Sequence, residues 1–136
     1  MMRRVGEYIR DWTFFDYARP VEIISFWAMI GFGWRFYTNP QIVQRDSYTL
    51  FEAVGADVFA FLPILLASLG AFAMHVPSER VREPMRVLVN SGSFLFWFSI
   101  ATAFLAAETP TTAHFTYYAL SFGCILSGVY LAWKSS

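Results

Sequence analysis

The sequence predicts an all-α polytopic membrane protein: four transmembrane helices, an amphipathic interfacial helix before them, and both termini in the cytoplasm. Three observations carry this prediction. Of 136 residues, 57% are hydrophobic and 20% aromatic, against 15% charged, which is too apolar for the surface of a water-facing domain of this length. The apolar residues fall into blocks at 21–38, 54–75, 87–107 and 114–133, each able to cross or nearly cross a hydrocarbon core of roughly 30 Å. The basic residues gather on alternate connections between those blocks. Residues 1–19 are thus expected to form an interfacial unit, and 20–136 the transmembrane domain.

The first element is "RRVGEYIRDWTFFDYARP", where Val5, Tyr8, Ile9, Trp12 and Phe15 approach the spacing of one helical face. Aromatic residues beside arginines suit a helix lying in the headgroup layer. Glu7, Arg10, Asp11 and Asp16 interrupt the place where a signal peptide would carry its apolar core, so none is expected. Pro20 then marks the break before the first span, because the residue before a proline avoids helical geometry.

That span carries Glu22 near one end and Arg35 near the other. Their separation amounts to roughly 20 Å of helical rise and places them on different faces, so they cannot pair with each other. Glu22 is expected at the inner boundary beside Arg19 or the arginines of the inner loop. Arg35 is expected at the outer boundary, with Asp57 as its partner. Such interface pairs mainly fix helix depth and rotation.

"TNP" at 38–40 stops the first span, and "TLFE" at 49–52 has the form of a capping box opening the second. Pro63 should kink that second helix. The third span opens on "NSGS" with Asn90 and Gly92, where an asparagine can hydrogen-bond across helices. In the fourth span Ala119, Gly123 and Ser127 recur at spacing four, beside Cys124 and Gly128, and small residues so spaced let helix backbones approach closely.

Arginine placement sets the orientation. Arg3, Arg4, Arg10 and Arg19 precede the first span, Arg80, Arg82 and Arg86 sit between the second and third, and Lys134 follows the fourth. The other side holds only Arg35 and Arg45, so the positive-inside rule places both termini in the cytoplasm. Arg80, Arg82 and Arg86 of "PSERVREPMR" form a candidate docking surface for a partner or for anionic lipid. Trp12, Trp34, Tyr37, Tyr117, Tyr118 and Trp133 are placed near an interface, and Trp27 and Trp97 deeper, between helices.

Little chemistry is encoded. His75 and His114 fall at opposite ends of the bundle and cannot share a metal or haem. Cys124 is a single cysteine, so no intrachain disulfide or Cys-rich metal motif is available. No catalytic residue, cofactor, metal or nucleic acid is expected. The expected partners are the bilayer and either further copies of the chain or other membrane subunits.

"ARPVE" at 18–22, "GFGW" at 31–34, the arginine-rich inner loop, "FW" at 96–97, a Thr/Pro external turn and the tyrosines of the fourth span complete a layout. It resembles that of the small four-span membrane proteins of tailed phages and prophages. The resemblance implies a viral origin and holin-like or infection-related roles, and transfers no catalytic residue. The function expected is therefore non-enzymatic, acting by helix–helix assembly as a membrane subunit or a holin-like oligomer. The alternatives are an accessory subunit of a larger complex, or a small oligomeric channel or transporter with Glu22, Arg35, Asp57 and Asn90 along its path.

Overall fold

The computed structural model describes residues 8, 16–44, 52, 54–107 and 112–136. Among them are four α-helices and no strand: α1 (Arg19–Thr38), α2 (Ala56–His75), α3 (Glu79–Leu105) and α4 (Ala113–Ser135). A 3₁₀ turn, Pro40–Gln44, follows α1. The segment assigned to an interfacial helix lies almost wholly outside the described residues, as does most of "TLFE". Helix α2 instead starts at Ala56, directly after Gly55, whose φ of 90° suits a residue without a side chain.

Local chemistry explains the helix ends. Asp16 Oδ1 accepts the backbone N–H groups of Ala18 (3.1 Å) and Arg19 (2.9 Å), which are among the donors a helix start leaves unpaired. Pro20 sits within the first turn of α1, where its missing N–H costs no helical hydrogen bond. At the other end, Thr38 Oγ1 donates back to the Trp34 carbonyl at 3.0 Å. Helix α2 continues through the buried Pro63 without interruption.

The helices alternate in direction. Gly33 of α1 lies against Ala60 and Ile64 near the start of α2, whereas Phe26, earlier in α1, lies against Gly70 near its end. In α3 and α4, Thr102 meets Tyr118 while Asn90 meets Gly128. The short connection between α2 and α3 favours the same antiparallel arrangement. Glu22, Met29 and Phe32 of α1 face Arg86, Ser93 and Phe96 of α3 in parallel, so these two helices are bridged by their side chains across the core.

The bundle is apolar outside. Leu65, Leu69 and Phe72 of α2, Leu88 and Leu95 of α3, and Phe122, Leu126 and Val129 of α4 are all exposed. Helices α2, α3 and α4 are long and apolar enough to cross a membrane. Helix α1 has the same length as α2, but Arg19, Glu22 and Arg35 dilute its hydropathy. Exposed hydroxyls satisfy themselves on their own helix, as Ser99 does with Leu95 (2.8 Å) and Thr102 with Phe98 (2.8 Å).

One aromatic residue departs from its expected place. Trp27 is 71% exposed on the outer face of α1 rather than packed between helices. Tyr117, in the second turn of α4, stacks on the buried Trp97 with centroids 5.5 Å apart. Trp34, Tyr37 and Trp133 are exposed near helix ends.

Candidate functional site

One end of the bundle is held by charges that are out of water. Asp16 precedes α1, Arg19 and Glu22 occupy its first turn, and Glu83, Arg86 and Asn90 lie on the opening turns of α3; all six are buried. The spacing of Glu83, Arg86 and Asn90 (i, i+3, i+7) puts them on one face of α3, directed at α1.

Arg86 is the hub. Its Nε donates to Glu22 Oε1 and Oε2 at 3.1 Å each, and its Nη2 reaches Glu22 Oε2 at 2.5 Å and Asp16 Oδ1 at 3.1 Å. Nη1 donates to Asp16 Oδ2 at 2.9 Å and to Glu83 Oε2 at 3.4 Å. Two edges of the planar guanidinium are thus each engaged by a carboxylate, and its five N–H donors all have acceptors within reach. Asn90 Nδ2 extends the network, donating to Glu22 Oε1 at 2.7 Å and to the Arg86 carbonyl at 2.9 Å. The Asn90 Oδ1 atom is buried without a hydrogen-bond partner.

The charges balance: Arg19 and Arg86 stand against Asp16 and Glu22, and Glu83 is shared with Arg82, whose Nε lies 3.0 Å from it. Burial pushes the Asp16 carboxyl up, but hydrogen bonds and charge from Arg86 outweigh this, aided by the Arg19 backbone N–H, and hold it below its ordinary value of 3.8. A guanidinium does not release its proton in a protein, so the hub itself binds and orients without exchanging protons.

A polar strip continues up the core. Trp97 Nε1 donates to Ser25 Oγ at 2.9 Å, Cys124 Sγ lies 3.3 Å from the same hydroxyl, and Ser121 Oγ donates to the Phe94 carbonyl at 3.1 Å. Beyond it the interior turns aromatic. Phe32 meets Phe96, Trp97 and Tyr117 edge-on, and Phe36 meets Phe59. The core thus carries its polar contacts toward the clasp end and aromatic rings toward the other.

The other singled-out residues are distributed as follows. Arg35 and Asp57 are exposed at the opposite end, and no ion pair joins them among the described residues. Of the three loop arginines, Arg86 is buried and Arg82 is drawn in between Glu79 and Glu83, leaving only Arg80 exposed. Gly123 packs on Val21 of α1, Gly92 lies near Leu66 of α2, and Ser127 is buried, whereas Ala119 is exposed. His75 and His114 lie on separate helix ends, and no group of three His, Cys, Asp or Glu among the described residues is disposed to hold a metal ion.

Asp16 and Glu83 belong to the site but are not among the site residues that the sequence singles out. The signals that could have found them are local. Asp16 has the cap-forming relation to Ala18 and Arg19, and Glu83 shares its helical face with Arg86 and Asn90.

Fold and site together define an all-α protein with three helices long and apolar enough to cross a membrane and a buried, charge-neutral clasp. In comparisons with known proteins, the chain matches no family model, no curated protein and no solved structure.

Proposed function

We propose that the protein is a non-enzymatic, four-span subunit of the bacterial inner membrane, with both termini in the cytoplasm, that acts through helix–helix assembly. The observation that carries this reading is the distribution of polarity. Polar side chains converge on the interior, where partners within the chain satisfy most of them, and large apolar side chains face outward. Such a bundle suits lipid on its outside. Helix α1 fits the fourth span because its two inner charges are spent in the clasp and Arg35 sits at its far end, where it can reach water.

The same distribution favours a stable subunit over a pore-former. Gly33, Gly70, Gly123 and Gly128 are used for close helix contact inside the chain, which leaves Gly31 and Ala119 as small residues on the outside. The test is induced expression with a dye-leakage readout, followed by mild-detergent extraction and particle sizing. A subunit leaves the membrane tight and is extracted as a defined particle. Dye leakage and timed lysis would instead assign the holin-like role, and recovery in the soluble fraction would remove both.

A further inference from the structure

We propose that the outward face of α1 is an interface with a second copy of the chain, the two copies related by a twofold axis along the membrane normal. The proposal deepens the assembly reading above and rests on it.

The face is a ridge with one gap in it. Ile24, Trp27 and Trp34 are 60%, 71% and 61% exposed. Together with Gly31 they recur at i, i+3, i+7 and i+10, which keeps them on one side of the helix. Gly31 is the gap, because a Cβ there would meet nothing within 4 Å.

Ridge and gap fit their own copy. Trp27 stands midway between Arg19 and Arg35, about 12 Å from each at about 1.5 Å per residue, so the membrane reading puts it at mid-depth. Tryptophan favours the two water boundaries over that position, and a second helix laid against α1 takes the ring out of lipid. Helical side chains lean toward the N-terminus. Trp34 of one copy therefore comes down over Gly31 of the other, and a twofold axis repeats the contact in reverse.

Charge favours a second copy over a different helix. Arg35 and Asp57 are exposed, and neither forms an ion pair among the described residues. They stand on opposite flanks of the α1 face. Arg35 comes about four turns after Val21, and Val21 meets Gly123 of α4, so Arg35 lies toward the α4 flank. Asp57 shares a face of α2 with Phe61 and Ile64, which lie against Tyr37 and Gly33 of α1, so Asp57 holds the other flank. A twofold axis through the face sets the α4 flank of each copy against the α2 flank of the other. Each Arg35 then meets Asp57 of the other copy. The carboxylate lies roughly one turn nearer the water, within reach of an arginine extended toward the interface. Both copies insert with the same topology, so the axis runs along the membrane normal.

Energy transfer between donor-tagged and acceptor-tagged full chains in liposomes, followed over a range of protein-to-lipid ratios, tests this. The wild type should associate as a dimer. Arg35→Asp alone and Asp57→Arg alone should each dissociate about tenfold more readily, since both pairs across the axis become repulsive. Donor-tagged Arg35→Asp mixed with acceptor-tagged Asp57→Arg should regain wild-type association, because both pairs across the axis are again of opposite charge. An ion pair within one copy would give no such rescue. Gly31→Leu, which fills the gap and leaves the charges, should weaken the dimer. A monomeric wild type, a mixture no tighter than either variant alone, or no effect of Gly31→Leu would overturn the proposal. So would extraction of one copy bound through this face to a different membrane protein. A chain that floats with the liposomes but stays monomeric refutes only this interface, whereas one that fails to float with them refutes the membrane reading itself.

Discussion

Arg86 decides whether the clasp end of the bundle holds. A buried ion pair adds little net stability over a well-packed apolar replacement, but removing one member leaves the others buried and uncompensated. Arg86→Met should therefore cost about 3–5 kcal/mol in detergent unfolding, since Asp16 and Glu22 would both lose their main partner. Adding Asp16→Asn and Glu22→Gln should recover most of that loss. A triple variant no more stable than the single one would mean that the network stabilises by attraction and not by mutual neutralisation. The sign of the acid response follows from Asp16. Its folded value is below 3.8, so its contribution is present above that pH and is lost as pH falls through the lowered value. Acid unfolding should begin below pH 3.8, and Asp16→Asn should flatten that limb of the curve.

At the scale of elements, two glycines of α1 separate packing from propensity. A Cβ on Gly33 would stand 2.5 Å from the Ala60 carbonyl oxygen, which is backbone and cannot turn aside, whereas a Cβ on Gly31 would meet nothing within 4 Å. Gly33→Ala should push α1 and α2 apart and cost about 1–3 kcal/mol. Gly31→Ala should be neutral or stabilising by up to about 1 kcal/mol. Equal effects on thermal unfolding would refute the close approach. Much of this element layout was legible in the sequence: the apolar blocks anticipate the helices, and Glu22 was expected near Arg19 or the loop arginines, Arg86 among them. What was not legible has a physical cause. In lipid both faces of a helix are apolar, so hydrophobic periodicity no longer separates the inward face from the outward one. That is why Trp27 was assigned to the wrong surroundings. Asp16 was hidden differently, because its role depends on Arg86, far along the chain, and on a cap just before α1.

For the molecule as a whole, the two ends are chemically unlike, and this bears on the proposed orientation beside the count of arginines. The clasp end gathers Asp16, Arg19, Glu22, Glu83 and Arg86, with Arg80 and Lys134 at its rim. The far end offers Arg35 and Asp57 unjoined, and an aromatic interior behind them. Charged groups are costly to carry across a bilayer, so the end richer in them should stay on the side where the chain is made. Labelling variants with one added cysteine in intact cells with a membrane-impermeant maleimide tests this. Ser78→Cys, between α2 and α3, should be protected until the membrane is opened, and Thr112→Cys, before α4, should react at once. The native Cys124 needs no removal, because it is fully buried beneath Ser25. Labelling of position 78 in sealed cells would invert the topology.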